Sequence, residues 1–135
     1  MKFLLDTNVC IDVLKGNALV TAHFQAHLPR DFVLSSITEF ELRQVAERAP
    51  SAYQIKERRK VDLFLSRFRI LPFDTQHAQT AAIINAELLN KGTSISLPDM
   101  FIAATALSLD LPLVTNNQKE FKRIKRLQIM DWRKP

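Results

Sequence analysis
Short apolar runs alternate with helical patterns along this chain, and that alternation limits the folds open to it. Residues 3–5, 32–35, 69–72, 111–114 and 127–130 are largely apolar and only three or four residues long. Runs this short suit strands buried on both faces better than the alternating strands of a half-solvated sheet. Between them lie longer segments with helix start and stop residues. Asn8 is placed to cap a short helix that runs to Lys15 and stops at Gly16. A second helix is expected over residues 18–28, closed by Pro29. Thr38 opens a third, which runs to about Arg48, just before Pro50. Residues 53–68 read as a fourth, with Val61, Phe64, Leu65 and Phe68 on one face and basic residues crowding the other. Asp74 or Thr75 caps a fifth over residues 76–91, where Ala78, Ala81, Ala82 and Ala86 permit close packing before Gly92 ends it. Pro98 sits in the first turn of a sixth, which ends near Leu109. Strands and helices in this order build a parallel sheet covered on both faces. The chain is therefore expected to be α/β, a single domain over residues 1–135.

Composition narrows the chemistry. Gly16 and Gly92 are the only glycines, so a glycine-rich phosphate loop cannot be assembled. The one cysteine, Cys10, sits among apolar neighbours and has no internal disulfide partner, which suits a reducing, cytoplasmic setting. The first residues lack the pattern of a signal peptide, and no apolar run is long enough to span a membrane. The net charge is +5. Most of the basic residues fall in two segments. One holds Lys56, Arg58, Arg59, Lys60, Arg67 and Arg69. The other holds Lys119, Lys122, Arg123, Lys125, Arg126, Arg133 and Lys134. Two readings stay open for them: a surface for a polyanion such as RNA or DNA, or a solvated helix face plus a basic tail.

In open parallel sheets the functional crevice lies beyond the carboxyl ends of the strands. Four polar side chains are expected at that rim. Asp6 ends the first strand in KFLLDTN. Glu41 lies on the helix after the second strand. Asp99 is in the first turn of the Pro98 helix. Asn117 follows the strand in LVTNN. Each has a purely local alternative. Asp6 can cap the first helix, and Thr38-x-x-Glu41 has the spacing of a capping box. Asp99 can offset a helix macrodipole, and Asn117 can serve as a turn residue beside Asn116. What sets them apart is their coincidence at strand-to-helix corners. Carboxylates gathered in one place either hold protons or share a cation. Oxygen ligands without cysteine suit Mg²⁺ or Mn²⁺. An acidic pocket in a basic protein is the arrangement expected of a metal-dependent nuclease.

Taken together, LLDTNVCIDVLKG, SSITEFEL, GTSISLPDMFIAATAL and LPLVTNNQKEF…LQIMDW resemble the motifs of PIN-domain ribonucleases. The similarity is greatest to the VapC-type toxins of bacterial toxin–antitoxin pairs, and it covers nearly the whole chain in the right order. The resemblance implies a three-layer α/β/α PIN-like sandwich around a central parallel sheet. It implies an endoribonuclease, a hydrolase that uses Mg²⁺ or Mn²⁺ and leaves a 5′-phosphate and a 3′-hydroxyl. Asp6 matches the family's first-strand aspartate, and Glu41 the glutamate of its T-x-x-E-L motif. Asp99 matches the aspartate that precedes I-A-A. Asn117 stands where many members carry aspartate and others asparagine. By this likeness Asp6 and Asp99 hold the metal, Glu41 orients the water or holds a second ion, and Asn117 contacts the ion's water. Val45 departs from the glycine frequent near the end of the glutamate-bearing motif. The resemblance further implies an RNA substrate (with transfer RNA cut in the anticodon region as the model), a homodimer, and a cognate VapB-like antitoxin that plugs the acidic pocket.

His23 and His27 share a helix face but have no further zinc ligands beside them, so they read as surface or packing residues. His77 is expected to be structural. Trp132, Phe121 and Tyr53 can stack on bases or pack in a core or interface. A haloacid-dehalogenase-type phosphatase also places an aspartate after its first strand, but it needs a second acid two residues on, where this chain has Asn8. The remaining rivals are a PIN nuclease with a housekeeping role in RNA processing and a non-catalytic RNA-binding module.

Overall fold
The computed structural model describes residues 1–134. Its elements follow in the order β1 (Phe3–Leu5), α1 (Thr7–Lys15), α2 (Ala18–Gln25), β2 (Phe32–Ser35), α3 (Ser36–Glu47), α4 (Ser51–Leu65), β3 (Arg69–Leu71), α5 (Thr75–Asn90), α6 (Leu97–Leu109), β4 (Leu113–Val114), α7 (Gln118–Phe121) and β5 (Ile129–Met130). A single 3-10 turn, Pro29–Asp31, leads into β2.

The five strands form one sheet in the order β3-β2-β1-β4-β5, and every pairing is parallel. β1 lies at the centre. It pairs Phe3 with Phe32 and Leu4 with Val33 on one side, and Leu4 with Leu113 and Leu5 with Val114 on the other. Successive side chains along a strand point to opposite faces, and here both faces are covered. Leu5, Phe32, Leu34 and Val114 join one apolar cluster with residues of α1 to α4, including Val9, Val20, Leu42 and Phe64. Leu4, Val33 and Leu113 join a second cluster with Ile84 and Leu88 of α5, Ile102 of α6 and Phe121 of α7. Full burial on two sides explains why the strands are apolar throughout and carry no alternation. The three-layer α/β/α arrangement is thus realised.

The helix boundaries differ from expectation in instructive ways. Asp6, not Asn8, caps α1, because β1 turns into the helix with no intervening loop; the Asp6 carboxylate accepts the Thr7 N–H at 2.8 Å. Gly16 closes α1 as anticipated, with φ of 78°, a conformation that favours glycine. α2 stops at Gln25, short of Pro29, since the chain must turn into the 3-10 segment. α3 begins two residues before Thr38: Ser35 caps it by accepting the Ile37 N–H at 3.0 Å. No Thr38–Glu41 capping box forms, and both side chains are released for other partners. α4 starts at Ser51, directly after Pro50. The expected strands at 111–114 and 127–130 each shrink to their last two residues, Leu113–Val114 and Ile129–Met130. Pro112 has no N–H to donate, yet its carbonyl still accepts the Leu4 N–H at 3.0 Å.

The aromatic residues and histidines with open roles are largely structural. Trp132 is 2% exposed and packs against Phe3, Phe32, His23 and His27. Phe121 is fully buried, while Tyr53 is exposed. His77 is buried at the start of α5, where its Nδ1 accepts the Asp74 N–H and its own N–H is capped by Asp74. Among the described residues no helix is long and apolar enough to cross a membrane.

Candidate active site
Strand order reverses between β1 and β4, so the connections leaving these neighbours diverge and open a crevice at their carboxyl ends. Asp6 follows β1, and Thr115 to Asn117 follow β4. The Asp6 N–H donates to the Val114 carbonyl at 2.9 Å, which extends the sheet by one rung to the crevice floor. There the Asp6 side chain is 2% exposed. One carboxylate oxygen accepts the Thr7 N–H; the other accepts the Thr115 hydroxyl at 2.8 Å. Burial pushes the Asp6 carboxyl up to about 6. The two hydrogen bonds hold it back, and the negative charges of Glu41 and Glu120 add to the rise.

The opposite wall is formed by α6 and α7. Ser96 caps α6 by accepting the Asp99 N–H at 3.4 Å, and this sets Asp99 in the first turn. Thr115 accepts the Asn117 N–H at 3.0 Å, so one hydroxyl steers both Asp6 and the β4–α7 connection. The Asn117 amide nitrogen then donates to Asp99 at 3.4 Å and to Glu120 at 3.2 Å. Asp99 is pushed up to about 7. Burial is the main cause, and next comes a proton shared with Glu120; the charges on Asp6 and Glu120 act in the same direction.

Glu41 stands on the third wall. The Thr7 hydroxyl lies 2.7 Å from its carboxylate and 3.1 Å from the Thr38 hydroxyl. Thr7 has one hydroxyl proton, which goes to the carboxylate, so Thr38 donates to Thr7. The chain Thr38–Thr7–Glu41 therefore replaces the capping box and fixes the Glu41 side chain toward the crevice.

All four residues singled out from the sequence, Asp6, Glu41, Asp99 and Asn117, thus line one crevice. Sequence reasoning missed Glu120, as well as the three threonines Thr7, Thr38 and Thr115. Glu120 lies in the mixed-charge stretch QKEFK, where no strand or long helix draws attention to it. Its signal was the spacing: three residues after Asn117, it returns to the same side of a helical turn.

The donor set is all oxygen. Asp6 and Asp99 repel each other and both resist ionisation, which is the electrostatic condition a cation relieves. Among the described residues no trio of His, Cys, Asp or Glu stands close enough to hold an ion by itself. Two carboxylates with the remaining positions left to water and phosphate is nevertheless the arrangement Mg²⁺ favours. The residues therefore fit a hard divalent cation and do not fit zinc.

A second polar network braces the crevice from outside. Arg133 grips Asp12 of α1 with two hydrogen bonds, at 2.9 and 2.8 Å, and the Asn116 amide adds a third at 3.1 Å. Hydrogen bonding from Arg133 holds the Asp12 carboxyl below its ordinary value.

Comparison with known proteins agrees with this geometry. A model of the PIN domain matches residues 3–127. The chain is 40% identical over 133 residues to the tRNA(fMet)-specific endonuclease VapC of Salmonella typhimurium, covering 98% of each. It is 36% identical over 135 residues to the enzyme of the same name from Shigella flexneri, again over 98% of each. The fold superposes on DNA-bound VapBC of Salmonella typhimurium with a TM-score of 0.90, at 39% identity over 98% of both chains. The three-layer sandwich, the order of its motifs and these likenesses lead to one assignment: the chain belongs to the PIN-domain family, among its VapC-type ribonucleases.

Proposed function
We propose that this protein is a divalent-metal-dependent endoribonuclease, the toxin of a toxin–antitoxin pair, with Asp6, Glu41, Asp99 and Asn117 as its working residues. The observation that carries the reading is the meeting of Asp6 and Asp99 across one crevice, each with its carboxyl pushed up to about 6 or 7. Asp6 and Asp99 are the residues that hold Mg²⁺ or Mn²⁺. When bound, such an ion supplies positive charge that activates water and stabilises the phosphorane-like transition state. Asp6 is kept in one orientation by the Thr7 N–H and the Thr115 hydroxyl. Glu41, steered by Thr7, orients the attacking water from the α3 wall. Asn117 holds Asp99 in place through its amide. Hydrolysis in line leaves a 5′-phosphate and a 3′-hydroxyl.

The relatives named for tRNA(fMet) make initiator transfer RNA the first substrate to try, and the VapBC complexes make a VapB-type antitoxin the expected partner. The test is cleavage of purified transfer RNA by the purified chain, with Mn²⁺ and with chelator, followed by mapping of the 5′ ends. Metal-dependent cuts that vanish in Asp6→Ala, with the variant's circular dichroism unchanged, are expected. A folded Asp6→Ala that still cuts would overturn the site assignment. Binding that survives chelator with no product would favour a non-catalytic RNA-binding module.

A further inference from the structure
The turn Thr115–Asn117 carries two contacts that shape the crevice, yet the elements it joins do little to hold it still. β4 has two residues and α7 has four. Asn117 stands at the N-cap of α7 but makes no capping hydrogen bond; its amide is committed to Asp99 and Glu120. The Thr115 hydroxyl is likewise committed to Asp6. Between these two lies Asn116, whose amide donates in another direction, to Asp12 of α1 at 3.1 Å. α1 is the helix that Asp6 opens, so this bond ties the turn to the element that carries the first acid.

Asp12 is in turn held by the C-terminal segment. Arg133 donates to both of its carboxylate oxygens, at 2.9 and 2.8 Å. That segment is anchored on either side of the turn's own strand contact: the Thr115 N–H donates to the Met130 carbonyl at 2.9 Å, and Trp132 is buried. The Arg133 backbone N–H is fixed as well, by the Asp131 carboxylate at 2.9 Å. Resting on the nuclease reading above, we propose that Asn116 and Arg133 are positioning residues for cleavage: Arg133 fixes Asp12, Asp12 fixes Asn116, and Asn116 holds the turn that aims Thr115 at Asp6 and Asn117 at Asp99. Neither residue bonds to any of the four residues assigned to the chemistry. Their effect falls on the chemical step, where a misplacement of about 1 Å costs up to about 100-fold.

A chain of action and a set of separate braces predict different double variants. Asn116→Ala, Arg133→Ala and the two combined are compared in the full chain. Transfer RNA cleavage with Mn²⁺ gives kcat and KM, urea melts give stability, and amide hydrogen exchange of Asn117 without ion or RNA reports the order of the turn, with Leu113 as the reference. Asn116→Ala is expected to lower kcat about tenfold or more with KM within about twofold, and to speed exchange at Asn117 but not at Leu113. Arg133→Ala lowers kcat less. The double variant cuts no more slowly than Asn116→Ala, although it melts earlier. A kcat for Asn116→Ala within about twofold of wild type would overturn the assignment, as would kcat losses that multiply in the double variant. If wild type cuts no RNA, the nuclease reading fails and exchange alone judges the tether: faster exchange at Asn117 in both single variants supports it, and unchanged exchange overturns it.

Discussion
Asp6 is held in conflict. Its surroundings exclude water, which favours the neutral acid, yet the Thr7 N–H and the Thr115 hydroxyl both point at it as donors. With a folded value of about 6 against an ordinary 3.8, the native protein holds a proton that the unfolded chain has already released. Ion-free stability therefore falls as pH rises from about 4 to about 6, and it does not recover above that window. Asp99, raised to about 7, acts in the same sense, though its half-exposed position makes the effect smaller. Asp6→Asn removes the charge but not the shape, and the Thr115 hydroxyl can reverse to accept from the new amide. This variant is expected to gain up to roughly 2–3 kcal/mol at pH 8, to gain nothing near pH 4, and to lose cleavage. Denaturant melts in chelator at the two pH values measure it; equal changes at both would show that desolvation is not what strains Asp6. A second residue-scale expectation concerns Thr7, whose hydroxyl steers Glu41. Thr7→Val should lower kcat/KM by about tenfold or more, since a hydrogen bond to a charged group is worth roughly 1.5–3 kcal/mol. Thr7→Ser, which keeps the hydroxyl, should restore it.

At the scale of elements, the strands and most helices are legible because their causes are local. Gly16 and Gly92 stop helices by adopting positive φ, and the apolar triplets at 3–5 and 32–34 are too short to be anything but buried strands. What local reasoning misplaced are features decided by contacts distant in sequence. Thr38 and Glu41 have the spacing of a capping box, yet Ser35 caps α3 and Thr7, 34 residues before Glu41, claims the glutamate. α7 went unseen because one turn has no periodicity to detect; burial of Phe121 holds it in place. The same holds for the C-terminal segment. Arg133 reads as part of a basic tail, but it reaches back 121 residues to clamp Asp12, while Trp132 fills the space between β1, β2 and α2. Arg133→Ala leaves the nearly buried Asp12 with Asn116 as its remaining side-chain partner. The expected cost is about 1–3 kcal/mol, the penalty for stripping a buried carboxylate of its strongest donor. Trp132→Ala should cost more, roughly 3–5 kcal/mol, because it also opens a cavity. Urea melts rank the two, and an Arg133→Ala variant as stable as wild type would show that the clamp is a surface pair of no consequence.

Across the whole molecule, the basic residues divide into two kinds that their clustering in sequence does not separate. Arg58 pairs with Glu47, Lys60 with Glu57, Arg126 with Glu87 and Arg133 with Asp12. Their charge is already balanced by a neighbour and adds little to a long-range field. Lys119 and Lys122 flank Glu120 in the chain, on and just after α7, and neither has an ion-pair partner among the described residues. A ribonuclease with acids at its centre needs compensating charge close by, since the crevice itself repels phosphate. Lys119 and Lys122 are the pair expected to meet the phosphates beside the cut, whereas Lys56 and Arg59 lie on α4, in the layer on the other side of the sheet from α7. Each phosphate contact on single-stranded RNA contributes a slope of about −0.7 in log K against log salt. Replacing Lys119 and Lys122 together by glutamine should therefore flatten the slope by about 1.4. The matching pair on α4, Lys56→Gln with Arg59→Gln, should leave it nearly unchanged. Filter binding in Ca²⁺ over a range of salt, with RNA that the Asp6→Asn variant cannot cut, measures both. Equal losses from the two pairs would mean that RNA is held by the diffuse charge of the whole surface, and that no track leads it into the crevice.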